Sequence, residues 1–259
     1  MSDDILVKVE DGIYWITFNK EKKFNSITGD MYRALCAAFD SAQEDDDVVL
    51  TVMTGNGLYY CAGSDFTPAE LAAEAEYNSD KGLDNYGPYK LWADRLIRHK
   101  KPLIALVNGP AVGIGVTSLA LCDAVFASDK ATFWCPFTQL GLNPEAASSI
   151  TFVHTLGYNK AARLALFAEK MTAEEAYVAG LVTKVIPHSK FQEETREIVQ
   201  RYSKLAKYSM WDSKKLLRPA HVVEELLTAN RREYEVLMNL MSSEETLNRI
   251  MSKFTKSKM

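Results

Sequence analysis

Two short runs of alternating apolar and polar residues, Ile5 to Glu10 and Ile13 to Phe18, flank Asp11-Gly12. A period of two marks a half-buried strand, and Asp-Gly readily adopts the positive φ angles of a tight turn, so the chain is predicted to open on a β-hairpin. Tyr32, Leu35, Phe39 and Ala42 then recur at helical spacing behind Thr28, whose hydroxyl is placed to cap the helix they share. Val48 to Thr54 is an apolar strand stopped by Gly55, Gly57 to Asp65 a loop of small residues, and Pro68 to Glu76 the start of a short helix. The polar stretch Asn78 to Gly87 reads as a mobile surface segment.

Helix resumes from Tyr89 to His99, followed by a strand at Leu103 to Val107, a helix at Val112 to Cys122, and strands at Ala124 to Ala127 and Thr132 to Trp134. Beyond Pro144 the apolar period is helical almost throughout, as far as Phe254. Strands alternating with helices and then a helical tail predict an α/β core followed by a helical segment. Leu103 to Ala127 is nearly free of charge and long enough to span a bilayer. Asn108-Gly109-Pro110 breaks it with a turn and Asp123 closes it, so a buried strand, turn and helix account for it and no membrane span is expected.

Composition narrows the function classes. The 259 residues are 47% hydrophobic and 25% charged, enough for a sizeable core. Net charge is -4, and the basic residues gather only in the tail Lys253, Lys256, Lys258, which excludes a basic nucleic-acid face. Cys36, Cys61, Cys122 and Cys135 form no CxxC pair, and His99, His154, His188 and His221 are equally dispersed, so neither a disulfide frame nor a metal site is expected. The acidic N-terminus Met1-Ser2-Asp3-Asp4 has no apolar core of a secretory signal.

Two loops carry candidate chemistry. Between Cys61 and Ser64 no side chain is bulky, and Gly63 lets a ligand approach the backbone. Asn108-Gly109-Pro110-Ala111-Val112-Gly113-Ile114-Gly115 joins a strand to a helix whose first N–H groups have no intrahelical partner and carry partial positive charge. Two such N–H groups aimed at one point would make an oxyanion hole. Either loop alone is equally a tight packing turn. Ser118 stands where a dinucleotide fingerprint needs its third glycine, and no Gly-Lys-Ser/Thr follows, so dinucleotide and P-loop readings fail.

Taken together these segments resemble the enoyl-CoA hydratase/isomerase (crotonase) superfamily over essentially the whole chain. Cys61-Ala62-Gly63-Ser64-Asp65 is similar to its AGxD loop, Val107 to Asp123 to its NGxxxGGGxxLxxxCD segment, Asn25-Ser26-Ile27 to its NAL/NAI position, and Ala176-Gly180-Leu181-Val182 to EAxxxGLV. The resemblance implies a β-β-α spiral core over residues 1–200 and a C-terminal helical trimerisation region over 201–259, within one domain and assembled as a homotrimer or hexamer. It implies an oxyanion hole from the backbone N–H groups of Ser64 and Ile114, and an acyl-CoA running along Cys61, Ala62, Gly63, Ser64 and Asp65. A basic contact to the CoA phosphates is expected from Lys23 or its neighbours Lys20 and Lys22.

Hydratases of this family carry two glutamates, which match Thr117 and Phe137 here, so hydration by two carboxylates is disfavoured. Asn143-Pro144-Glu145-Ala146-Ala147-Ser148-Ser149 resembles instead the NPEGCSS segment of peroxisomal Δ3,Δ2-enoyl-CoA isomerases, with Ala-Ala for Gly-Cys. That implies Glu145 as the single base of a double-bond isomerase acting on 3-enoyl-CoA, with no cofactor beyond the substrate's CoA. A different acyl-CoA reaction, or a non-catalytic CoA-binding module, are the alternatives on the same fold. The last residues, Ser257-Lys258-Met259, resemble the Ser-Lys-Leu signal read by the peroxisomal import receptor, implying a peroxisomal protein. Some related isomerases carry an acyl-CoA-binding domain ahead of this core; none is expected ahead of the opening hairpin.

Overall fold

Asp11 and Gly12 both adopt positive φ, 53° and 75°, and fold β1 (Ile5–Glu10) back on β2 (Ile13–Phe18) with Glu10 opposite Ile13. The computed structural model describes residues 3–79 and 87–256. Most of the polar stretch Asn78 to Gly87, namely 80–86, and the Ser257-Lys258-Met259 tail lie outside the described residues. After β2 comes α1 (Gly29–Glu44), capped as expected by Thr28, whose Oγ1 accepts from the Met31 N–H at 3.3 Å. Its predicted face, Tyr32, Leu35, Phe39 and Ala42, is buried. The chain continues through β3 (Leu50–Gly55), α2 (Pro68–Ser79), α3 (Pro88–Arg98), β4 (Leu103–Val107), β5 (Ala111–Val112), α4 (Ile114–Thr117), β6 (Ala124–Ser128) and β7 (Thr132–Trp134). The second half holds α5 (Phe137–Leu140), α6 (Ser148–Leu156), α7 (Tyr158–Ala165), β8 (Met171–Thr172), α8 (Ala173–Ala179), β9 (Lys184–Ile186), α9 (Phe191–Ser203), α10 (Lys207–Leu217), α11 (Ala220–Met241) and α12 (Glu244–Lys256).

Six strands form one sheet in the order β1-β2-β3-β4-β6-β9, parallel throughout except for the opening hairpin. Parallel neighbours require crossovers, which the helices supply, and they cover both faces. Every residue of β4 is therefore buried, the reason its sequence is an unbroken apolar run. One face packs on α9 through Phe191, Ile198 and Val199, and the other packs against α1 and α3. A second sheet, β5-β7-β8, stands beside the first.

Two expectations are corrected. The helix expected from Val112 to Cys122 is a strand, one turn of α-helix and a 3-10 turn at Ser118–Leu121, because the Gly113 N–H bonds the Trp134 carbonyl at 2.8 Å and keeps Val112 in the small sheet. The helical tail after Pro144 is interrupted by β8 and β9. The apolar face of α11, with Leu226, Leu227, Ala229 and Leu237, is buried within its own chain. Asn230 on that helix donates to the Lys90 carbonyl (3.2 Å) and Asp94 (2.9 Å) of α3. The nearly charge-free run Leu103 to Ala127 is folded as β4, a turn, β5, two short helical turns and most of β6, and among the described residues no helix is long and apolar enough to cross a membrane.

Candidate active site

The loop after β3 is fixed from two sides. On one, Cys61 bridges Ala111: the Val112 N–H donates to the Cys61 carbonyl at 2.9 Å. On the other, Ile27 bridges Ser64 in parallel, donating to the Gly63 carbonyl (2.8 Å) and accepting from the Asp65 N–H (2.9 Å). In that pattern the partner residue's own N–H points away from Ile27, and among the described residues no acceptor takes the Ser64 amide. Gly63 holds φ +88°, and a Cβ there would stand 3.0 Å from the Val112 carbonyl, so this approach of loop to loop needs glycine. Beneath it lies Asn25, fully buried, whose Nδ2 donates to the Asn56 (2.9 Å) and Tyr59 (2.8 Å) carbonyls while its Oδ1 accepts from the Lys20 N–H. The NAL/NAI-like residue is thus a clamp on the loop.

Gly113, at φ +55° and ψ -121°, turns β5 into α4. The Val116 and Thr117 amides return to the Gly113 carbonyl, while the Ile114 N–H heads the helix and has no intrahelical acceptor. With only four residues, α4 has little dipole to offer, so what this end presents is the Ile114 N–H itself. A Cβ on Gly115 would meet the Cys61 Cβ at 2.8 Å, so this turn also locks onto the first loop.

Glu145 reaches the same place from a third segment. Ala146 and Ala147 both adopt left-handed φ, 56° and 59°, which costs about 1–2 kcal/mol for each non-glycine residue. That double turn throws the Glu145 side chain inward, leaving the residue 8% exposed. Its Oε1 lies 3.8 Å from where a Gly113 Cβ would stand, a point 4.0 Å from the Gly63 Cα. Among the described residues, no group donates a hydrogen bond to this carboxylate. Burial, reinforced by the nearby charge of Glu233, pushes Glu145 up to about 8.

Two cavities share Ser64 and Glu145. One, about 400 Å³, is lined by Tyr59, Gly63, Gly113, Trp134, Phe137 and Lys253 among others; the second, about 270 Å³, by Tyr32, Phe66, Tyr89, Tyr234, Met238 and Met241. A larger hollow of about 520 Å³ lies between Trp15, Leu106 and α9, and neither Ser64, Gly113 nor Glu145 lines it. Ser64 and Glu145 stand in the shared wall, and Gly113, the residue before Ile114, lines the larger cavity beside them, so an amide and a desolvated carboxylate that can polarise an oxygen and move a proton lie side by side. A thioester threaded from one cavity to the other would pass Ser64 and Glu145, with the Gly113 turn that precedes Ile114 in the wall of the larger cavity.

The structure brings Cys61, Ala62, Gly63, Ser64, Asp65, Ile114 and Glu145 together. Cys61 is turned inward, its thiol pushed up to about 12 by burial, and its Sγ accepts from the Gly63 N–H at 3.3 Å. Asp65 is held by Lys20 at 3.5 Å and by the Ser26 hydroxyl. Lys23 is exposed on a 3-10 turn outside both cavities, whereas Lys20 meets the loop and Lys253 of α12 lines the larger shared cavity. Lys253 and Lys170 stand over the Trp134 ring, 5.6 and 4.7 Å from its centre. Sequence reasoning placed Lys253 in a basic tail and passed over Tyr89 and Glu233. The latter accepts from the amides of Ala147 (2.7 Å) and Ser149 (2.8 Å). At the two hydratase positions, Thr117 is buried and Phe137 forms cavity wall, so neither supplies a carboxylate.

The sequence profile of the family described as enoyl-CoA hydratase/isomerase matches residues 8–256. Enoyl-CoA delta isomerase 2 of Rattus norvegicus is 45% identical over 256 residues, covering 98% of this chain and 64% of the rat protein, so the chain spans just under two thirds of that relative. The peroxisomal enoyl-CoA delta isomerase 3 of Mus musculus is 44% identical over 244 residues, 94% of this chain and 76% of its own. Among solved structures, an enoyl-CoA hydratase/isomerase from Pseudoalteromonas atlantica superposes with a TM-score of 0.87 at 29% identity, over 98% of both chains.

Proposed function

The chain belongs to the enoyl-CoA hydratase/isomerase family, and from that premise we propose that it is a Δ3,Δ2-enoyl-CoA isomerase working with Glu145 as its only base. The observation that carries the reading is a desolvated carboxylate on the wall between two cavities, beside the Gly63 and Gly113 turns, that unlike Asp65 in the same wall has no cationic partner among the described residues, with no carboxylate at either hydratase position. The thioester oxygen of a 3-enoyl-CoA, cis or trans, accepts from the Ser64 and Ile114 amides. Each donor of this kind contributes about 3–4 kcal/mol to the transition state. The C2 proton becomes acidic, Glu145 removes it to give a dienolate, and the same carboxyl returns a proton at C4 to yield trans-2-enoyl-CoA. One base serves both steps, and the apolar surroundings favour reprotonation over addition of water.

The CoA moiety lies along Cys61 to Asp65, with Lys20 and Lys253 nearer to it than Lys23. The reaction needs no cofactor beyond the CoA thioester. The peroxisomal mouse relative and the Ser257-Lys258-Met259 tail together support import into peroxisomes by the receptor for that signal. The exposed Leu205, Tyr208, Leu216 and Leu217 in and around α10 support a homotrimer or hexamer, an assembly whose mass light scattering reads directly.

Purified protein given 3-hexenoyl-CoA should form the conjugated 2-enoyl thioester at unchanged mass. A product heavier by one water would mean hydration and would overturn the reading. Because the base must be ionised, kcat/KM should rise with pH through about 8 and level off above it, and a profile already flat from pH 5 would place the proton on another group.

A further inference from the structure

The segment bearing Glu145 is strained and is held in part from outside. Ala146 and Ala147 occupy left-handed conformations, and the N-cap of α6 is Ala147, which has no side chain to satisfy the first amides of the helix. Buried backbone donors in such a place must find partners. The Ser148 N–H turns back on the Glu145 carbonyl at 3.1 Å, whereas those of Ala147 and Ser149 find one residue on a distant helix. Glu233 of α11, 6% exposed, accepts from the Ala147 N–H at 2.7 Å through Oε2 and from the Ser149 N–H at 2.8 Å through Oε1. Its own carbonyl accepts from Asn143 Nδ2 at 3.0 Å, on the other side of Glu145. The loop Asn143 to Ser149 is therefore gripped before and after the base by a single residue.

We propose that Glu233 is a positioning residue for the base: its carboxylate and carbonyl hold the Asn143–Ser149 loop in the conformation that aims Glu145 into the shared wall of the two cavities. This rests on Glu145 being the base. The grip has an electrostatic side, since Glu233 is the neighbour whose charge adds to burial in raising the proton affinity of Glu145. Burial raises Glu233 itself to about 7, opposed by the Ser149 and Ala147 amides and by the charge of Arg232. Facing Glu145 from the other elements are Tyr89 of α3, Cys61 of the first loop and Cys135 after β7, all with raised pKa. Of the charged groups lining the cavities, Asp65 is paired with Lys20, Glu70 accepts from the Gly29 N–H, and Lys253 stands over Trp134.

The test uses the full chain with Glu233→Gln and Glu233→Asp, measuring kcat and KM for 3-hexenoyl-CoA, the pH–rate midpoint and the melting temperature. Gln keeps the shape, removes the charge and accepts from only one of the two amides. It should lower kcat about 10- to 100-fold, leave KM within about threefold, and move the midpoint to lower pH, because a negative neighbour has gone. Asp keeps the charge but is too short to reach both amides, so kcat should fall while the midpoint stays within about half a unit of wild type. A wild-type kcat and midpoint in either folded variant overturns the proposal, as does a lower melting temperature with per-site kcat and midpoint unchanged. Should Gln fail to fold, the Asp variant decides. The Glu145 titration can also be followed without turnover, by the infrared carboxyl band that disappears in Glu145→Gln. A wild type that titrates there but does not isomerise refutes the function and leaves the positioning claim standing or falling on the Glu233 variants.

Discussion

Glu145→Gln should lower kcat for 3-enoyl-CoA isomerisation by roughly 10²–10⁴-fold, the contribution of a positioned general base, while CoA-thioester affinity stays within a few-fold of wild type. The side chain keeps its volume, so the cavity wall and the amides of Ser64 and Ile114 remain in place. The same substitution should stabilise the protein in alkali. An acid held at about 8 in the folded state and near 4.5 in the unfolded chain is protonated only when folded between those values, so stability falls as pH rises from about 4.5 to about 8. At 1.36 kcal/mol per unit the loss reaches about 5 kcal/mol as an upper bound, and it stays in full above that window. Glu145→Gln has nothing to ionise: its denaturation midpoint should exceed wild type at pH 9 and converge with it towards pH 4.5. Equal midpoints at pH 9 would mean that the carboxyl is solvated, and the case for a desolvated base would fail. Such a trade of stability for activity is common at catalytic sites.

Ile114→Pro should cost roughly 10²–10³-fold in kcat, the penalty for deleting one oxyanion donor. Proline suits the position conformationally, since Ile114 is the first residue of α4, where the N–H has no intrahelical acceptor. The change therefore removes the N–H, together with the isoleucine side chain, while the helix can still form. Ile114 is fully buried, so Ile114→Ala serves as the control: it loses the same packing and keeps the N–H. The account expects Ala to retain activity within about tenfold of wild type at a temperature where both variants are folded. If Ala and Pro lose activity equally, the amide is not a donor to the transition state.

The parts of this molecule written in local chemistry were readable before any coordinates. Asp11-Gly12 specifies its turn, Thr28 its cap, and Asn108-Gly109-Pro110 a break, because each depends on a few adjacent residues. Glu145 was reached only because its surrounding segment resembles that of related isomerases; from composition it is one carboxylate among 34. Glu233 was not reached. On α11 it reads as an ordinary helical glutamate, and its burial comes from contact with a loop 84 to 90 residues earlier in the chain. The short strands β8 and β9 carry too few residues for a period to show. Lys23 and Lys253 illustrate the same limit: sequence proximity to Asn25 favoured the first, whereas the packing of α12 against α5 brings the second to the cavity. Backbone donors are the least legible of all, since any residue type has an N–H. Only Gly63, required by its φ angle and its close approach to Val112, and Gly113, required by its φ angle, marked where the two amides turn.

The most direct test is the structure of the Glu145→Gln variant with 3-hexenoyl-CoA bound. The thioester oxygen should lie within hydrogen-bond distance of both the Ser64 and Ile114 nitrogens, with the C2 and C4 carbons facing the side chain of residue 145 and the acyl chain running towards Tyr89 and Met238. A thioester oxygen held elsewhere, or a residue 145 turned away from C2 and C4, would contradict this mechanism.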